Sequence, residues 1–361
     1  MSTAHERSDA LHARARAFVR AFEAGTAMPE AFDALACDLA RFQADRIEGY
    51  ARLCRARGVD PSTLRRAADA PAVPTDAFKL ARVAAFEPHD AAVTFRTSGT
   101  TVGDRGAHAM RDVTTYDAAA LAFGRWALVR ALPPRVPVLV VGPPPDEAPD
   151  SSLGHMLALF ARELGDAAPN DQVFLLRDET LDLVSFSERI ARLATVPALV
   201  LGTSFAFVHL VDALDGAAFP LPRGSRLMQT GGFKGRSREV PASDLRRALA
   251  ATFEIDDANI VSEYGMTELS SQFYDAQPNV GVFVEPPWAR VVPVDPVTLG
   301  PIAEGEIGIA RIEDLMNVDS AFAVLAADRV RRVAGGFELL GREPGAAPRG
   351  CSIAIDEMLG G

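Results

Sequence analysis

Thr97-Ser98-Gly99-Thr100-Thr101-Val102-Gly103-Asp104-Arg105-Gly106 and, further along, Ser262-Glu263-Tyr264-Gly265-Met266-Thr267-Glu268 are the two stretches on which the reading of this chain turns. The first is rich in hydroxyls and glycine, the composition of a loop that wraps phosphate oxygens. Small residues let backbone N–H groups approach, hydroxyls donate, and Arg105 supplies a cation. A Walker loop needs Gly-Lys-Ser/Thr opening a helix, and no lysine is present here. Taken alone, the same residues also describe a hydrophilic hairpin turn.

Outward from these stretches the chain alternates. Val93-Thr94-Phe95-Arg96 reads as a short strand feeding the loop, followed by a helix near 114–132 and a buried strand at Val136 to Val141. Helices near 183–194, from Phe205, and near 243–252 alternate with strands at Ala198 to Leu201, Arg226 to Gln229 and Ile260 to Ser262. These strands end in Gly142, Gly202-Thr203-Ser204, Thr230-Gly231-Gly232 and Ser262. Strands that end in small or hydroxyl residues before a helix predict an α/β fold, with mostly parallel sheet and binding loops along its carboxyl edge.

Four regions follow. Residues 1–80 form a helical N-terminal segment, where Phe32, Leu35, Leu39, Phe42, Ile47, Tyr50 and Leu53 recur at helical spacing. Residues 81–280 form the α/β core. Residues 281–342 carry short β runs between Gly and Pro turns and predict a small β-rich subdomain. Residues 343–361 read as a flexible tail in which Cys351 follows a Gly/Pro/Ala connector. Val73 to Lys79 reads as an extended segment feeding a short helix capped by Thr75 or Asp76, and Ser151 or Ser152 is expected to cap the helix carrying His155.

Composition narrows the function. A chain of 361 residues with net charge −11 and 48% apolar residues is globular and poorly suited to a nucleic-acid polyanion. No apolar run is long enough to span a bilayer and the start does not read as a secretory signal, so a cytoplasmic protein is expected. Cys37, Cys54 and Cys351 have no zinc or disulfide spacing. The first two are expected as small core residues. Arg349 beside Cys351 favours an exposed, reactive thiol.

Thr97 to Gly106, Tyr264 to Glu268, Asp328 and Gly341-Arg342 together resemble the ordered motifs of the adenylate-forming superfamily of acyl-CoA synthetases. More narrowly, Val73-Pro74-Thr75-Asp76-Ala77-Phe78-Lys79, Phe95 to Thr101, Ser151 to Met156, Gly231-Gly232-Phe233-Lys234-Gly235-Arg236-Ser237 and Arg349-Gly350-Cys351-Ser352 resemble the LuxE-type acyl-protein synthetases of bacterial luminescence fatty acid reductases. This resemblance runs from about residue 70 onward. It implies the fold of the superfamily's large domain without its full C-terminal domain.

It also implies a ligase that converts a carboxylic acid, a fatty acid in this family, and ATP to acyl-adenylate and pyrophosphate. Thr97, Ser98, Gly99, Thr100, Thr101 and Arg105 would hold phosphates. Tyr264, Gly231 and Gly232 would meet adenine, Asp328 the ribose, Thr267 the α-phosphate, and Glu268 would ligate Mg2+. Arg342 stands at the hinge position, and Lys234 and His155 are further catalytic candidates. Val102 and Arg105 replace a glycine and a lysine that are usual in the phosphate loop. Cys351 is expected to take the acyl group as a thioester and pass it to a partner acyl reductase. Transfer to coenzyme A or a carrier protein, and a non-catalytic nucleotide- or acyl-binding module, remain open beside it. Phe205, Phe207 and Phe233 suggest an acid with an apolar body.

Overall fold

The structure, a computed structural model, describes residues 3–98, 105–166, 173–178, 180–231, 240–275, 280–342 and 348–360. In chain order, the helices used below are α1 (Ala4–Ala24), α2 (Phe32–Arg46), α3 (Glu48–Ala56), α4 (Ala77–Leu80), α5 (Thr114–Gly124), α6 (Ser152–Leu164), α7 (Leu183–Leu193), α8 (Ser204–Leu214), α9 (Ala242–Phe253) and α10 (Arg349–Leu359). The early strands are β1 (Val73–Pro74), β2 (Val93–Arg96), β3 (Ala107–Met110), β4 (Val138–Val141), β5 (Leu176–Arg177), β6 (Thr180–Leu181) and β7 (Leu199–Thr203). The later ones are β8 (Arg226–Thr230), β9 (Ile260–Tyr264), β10 (Phe273–Tyr274), β11 (Val282–Phe283), β12 (Ala289–Val294), β13 (Ile307–Asp314), β14 (Ala323–Val333) and β15 (Gly336–Arg342). Two compact units emerge: Met1–Ala122 with Met266–Gln272 and Val284–Gly361, and Phe123–Gly265 with Phe273–Phe283.

In the first unit, α1 opens on a reciprocal cap, Glu6 N–H donating to Thr3 Oγ1 (3.1 Å) and Thr3 N–H to Glu6 Oε2 (2.7 Å). Its stripe Leu11, Ala15, Phe18 and Val19 is buried, as the periodicity requires. Buried Gln43 on α2 donates to the carbonyls of Asn317 (2.8 Å) and Val318 (3.0 Å) and accepts from Phe322 N–H (3.1 Å), fastening α2 to the turn between β13 and β14. Strands β12 to β15 pair antiparallel, and β1 adds to β14 in parallel, Val73 opposite Val324.

Here the expectation of mostly parallel sheet is corrected. Residues 281–342, set apart by the sequence as a small β-rich subdomain, contribute strands to an antiparallel sheet that also takes β1 from the N-terminal segment. A two-residue strand paired across 251 positions of sequence leaves no local signature.

The second unit holds the parallel sheet. β4, β7, β8 and β9 lie side by side in parallel, with β10 antiparallel at the β9 edge. Val138-Leu139-Val140-Val141 is buried throughout, which fits a strand covered on both faces. Leu139, Val141, Val200, Leu227 and Ile260 pack with Phe186 and Ile190 of α7, Phe207 and Leu210 of α8, and Leu245, Leu249 and Phe253 of α9. Phe207 is therefore a core residue rather than part of an apolar substrate edge. Gly124 is required by close packing, since a β-carbon there would meet the Phe160 ring at 2.6 Å.

Candidate active site

The described strands on either side of the hydroxyl-rich run form a β-hairpin. β2 and β3 pair antiparallel, Phe95 opposite His108 and Arg96 opposite Ala107. At the neck, Thr97 N–H donates to Gly106 O (2.9 Å) and Gly106 N–H donates to Thr97 Oγ1 (2.9 Å). Arg105 Nε donates to Thr97 O at 2.7 Å, and its Nη2 lies 3.4 Å from Arg96 O. Thr97 and Arg105, expected on phosphates, thus both work at closing the loop. Gly99, Thr100 and Thr101 lie outside the described residues, as do Gly232 and Lys234.

His108 ties this hairpin to the second motif within the first unit. Its Nδ1 lies 2.8 Å from the Thr267 carbonyl, which only accepts, so Nδ1 carries the proton. Burial pushes the His108 pKa down to about 4, so the ring is neutral and fit to donate one bond only. Asn317 Nδ2 donates to the Glu268 carbonyl (2.9 Å), and Ser270 Oγ lies 2.7 Å from Asn317 Oδ1. Asp314, fully buried, accepts from Ser270 N–H (2.9 Å), Ser271 N–H (2.8 Å), Ser271 Oγ (2.6 Å) and Met316 N–H (3.0 Å). The segment 266–272 is therefore held by its backbone, and Glu268 is buried at 6% exposure.

Among the described residues no group of three or more His, Cys, Asp and Glu is placed to bind a metal alone. A single buried carboxylate suits Mg2+, which takes one or two carboxylates together with phosphate oxygens. Asp328 and Arg342 face each other across β14 and β15, with Arg342 Nε 3.3 Å from Asp328 Oδ1. The ribose candidate and the hinge candidate therefore form a cross-strand ion pair.

The second unit presents its own candidates. Tyr264 ends β9 and is buried between the rings of Phe273 and Phe283, both 6.0 Å away. Gly231 follows β8 with φ +80°, a conformation that suits glycine, and its carbonyl accepts from Ser204 Oγ (2.9 Å). His155 borders an open groove of about 450 Å³ along α6 with Arg135, Ser151, Ala158, Arg162 and Phe174. Ser151 is the α6 cap, accepting from Gly154 N–H at 3.0 Å.

Glu263 was not singled out by the sequence. It is buried beside Thr230, whose hydroxyl donates to it, and burial raises its pKa to about 7. Its signal in the sequence is a lone carboxylate among the strand residues Ile260-Val261-Ser262.

Cys351 departs most from expectation. It is 5% exposed in the first turn of α10, and burial, with Asp76 adding a smaller contribution, raises its pKa to about 11. The helix docks against α3 and β1. Arg52 Nε donates to Met358 O (2.6 Å), Arg57 Nε pairs with Glu357 (2.6 Å), and Gly350 N–H donates to Pro296 O (3.0 Å). The apolar stripe Cys351, Ala354, Ile355 and Met358 outweighs the Gly/Pro run ahead of it, and no exposed thiolate results. Cys37 and Cys54 are buried in α2 and α3 as expected.

No described helix is long and apolar enough to cross a membrane. No curated protein sequence matches the chain. Among solved structures, 2-hydroxyisobutyryl-CoA ligase in the postadenylation state with 2-HIB-AMP is 13% identical at TM-score 0.60, over 86% of this chain and 67% of that one. The same ligase with 2-HIB-AMP and CoA in the thioesterification state is 15% identical at TM-score 0.60, over 94% and 69%. ATP-bound MatB from Rhodopseudomonas palustris is 17% identical at TM-score 0.49, and this chain spans 72% of itself and about half (49%) of MatB. The likeness to the hydroxyisobutyryl-CoA ligase shows a shared fold. The family model described as acyl-protein synthetase, LuxE, matches residues 24–360, so the chain belongs to the LuxE acyl-protein synthetase family.

Proposed function

We propose that this protein is an adenylate-forming ligase that activates a carboxylic acid with ATP, releasing pyrophosphate, and transfers the acyl group to a thiol. The observation that carries the reading is the His108–Thr267 hydrogen bond, which joins the hydroxyl-rich hairpin to the Thr267-Glu268 motif in one unit. Adenylyl transfer depends on positioning and on charge stabilisation by N–H donors and cations, and a fixed spacing between the two motifs supports the positioning part of that requirement. Glu268 would hold Mg2+ with phosphate oxygens, and the ion would supply charge neutralisation there. The adenine role of Tyr264, Gly231 and Gly232, the ribose role of Asp328 and the hinge role of Arg342 rest on the family resemblance.

A fatty acid as substrate, Cys351 as acceptor and an acyl reductase as partner complete this reading. Burial of the Cys351 thiol favours a second one, in which coenzyme A or a carrier thiol accepts the acyl group. Acid-dependent pyrophosphate exchange into ATP tests the first step. Intact mass after incubation with acid, ATP and Mg2+ tests the second. Hydroxylamine-labile acylation lost in Cys351→Ser, with exchange retained, is the expected result. Acylation only of added coenzyme A would establish the second reading, and no exchange with any acid of a broad panel would overturn both.

A further inference from the structure

Lys79 lies in the last turn of α4, in the same unit as the hairpin and the Thr267-Glu268 segment. It is one of two lysines in the chain. Gly106 shows how close it lies to the hairpin neck, because a β-carbon there would sit 3.5 Å from Lys79 Cγ and 3.2 Å from Thr97 Cγ2. The aliphatic stem covers the neck, while Nζ lies 2.6 Å from Asp76 Oδ1. Both side chains of that pair are open to solvent, at 41% and 44% exposure, so the pair is weak and readily exchanged for another anion. Asp76 is the N-cap residue of α4 but makes no capping hydrogen bond, and its carboxylate engages the lysine instead. Arg105, the loop's own cation, directs Nε and Nη2 to the carbonyls of the neck.

We propose that Lys79 is the cation that meets the ATP phosphates during adenylation, leaving Asp76 when nucleotide enters; this rests on the adenylate-forming reading above. An oxygen of the substrate carboxylate forms the new bond to the α-phosphorus. The bond from that phosphorus to the bridging oxygen of the β-phosphate breaks, and its electron pair departs on pyrophosphate. No proton moves. Lys79 remains an ammonium throughout and trades one carboxylate partner for oxygens whose negative charge grows as the bond breaks.

The test is acid-dependent pyrophosphate exchange in the full chain. Lys79→Met is expected to lower exchange about a hundredfold and raise the KM for ATP, as loss of a charge-stabilising donor does. Lys79→Arg keeps the charge and is expected to retain exchange to within about tenfold. Asp76→Asn separates a phosphate role from a merely structural ion pair: it frees the ammonium and is expected to lower the KM for ATP, opposite in sign to Lys79→Met. A Lys79→Met protein with the wild-type melting curve and wild-type exchange overturns the proposal, as does an Asp76→Asn protein that shares the Lys79→Met defect. Wild-type protein that exchanges with no acid overturns instead the reading beneath it.

Discussion

His108 donates from Nδ1 to the carbonyl oxygen of Thr267 at 2.8 Å, across 159 positions of sequence. Its ring also meets Phe78 edge-on at 5.8 Å, so it is held from two sides. His108→Phe keeps the bulk and removes the donor, leaving a buried carbonyl unpaired. We expect a loss of about 1–3 kcal/mol in urea unfolding and a clear fall in pyrophosphate exchange with little change in KM for the acid. Unchanged exchange would show that the tether is dispensable for the site.

The same residue sets part of the acid sensitivity. Its folded pKa of about 4 lies below the unfolded value of 6.5, so its contribution to stability is full above pH 6.5 and is lost progressively as pH falls toward 4. Melting curves should show His108→Phe losing less stability than wild type between pH 6.5 and 4. An identical slope would contradict the assignment of a neutral, buried ring.

Glu263 runs the other way. Its pKa rises from 4.5 to about 7 on folding, so stability is fully present below pH 4.5 and declines as pH rises through 7. Glu263→Gln removes that decline and should gain about 1–3 kcal/mol on wild type between pH 5 and pH 8. Thermal melts at those two values decide it, and a constant difference would refute it.

Asp314 gathers four hydrogen bonds at the root of the Thr267-Glu268 segment. Asp314→Ala leaves buried N–H groups of Ser270, Ser271 and Met316 without that acceptor. We expect about 3 kcal/mol or more of destabilisation, measured by denaturant. Asp314→Asn should recover part of it, because one side-chain oxygen remains as an acceptor.

Gly350 is where the Cys351 helix fits most tightly. A β-carbon there would come within 2.7 Å of Leu299 and 3.0 Å of the Pro296 carbonyl. Gly350→Ala is therefore expected to loosen α10 and speed iodoacetamide modification of Cys351 by about tenfold, consistent with a loss of about 1.4 kcal/mol in docking. Equal rates in mutant and wild type would mean that the helix already opens freely.

The sequence made the parallel sheet legible because its evidence is local. Runs such as Leu139-Val140-Val141 and Val200-Leu201 followed by Gly or Thr carry strand, burial and loop in a few residues. The antiparallel pairing of β12 to β15 and the docking of β1 are long-range, and no periodicity encodes them. In the candidate site, the sequence pointed to Thr267 and Glu268 by residue type, but the groups that hold their segment were not legible. His108 is a single residue in a four-residue strand, and Asp314 and Asn317 serve backbone groups more than 40 positions away. Asp76 read as a cap because Asp favours helix starts, whereas a lysine three residues on competes for the same carboxylate. The tail misled through composition. Gly and Pro ahead of α10 suggested looseness, although Pro348 and Gly360 are ordinary start and stop signals for the helix between them.

The docked tail helix also bears on how long this protein endures under oxidative stress. Peroxides attack thiolates, and a thiol with a pKa of about 11 holds only about one ionised group in ten thousand at pH 7. With little surface offered to solvent as well, Cys351 should resist over-oxidation to sulfinic acid for as long as α10 stays seated. A cell could then hold a standing pool of this protein through aerobic growth without steady loss of the residue whose chemistry is irreversible once oxidised that far.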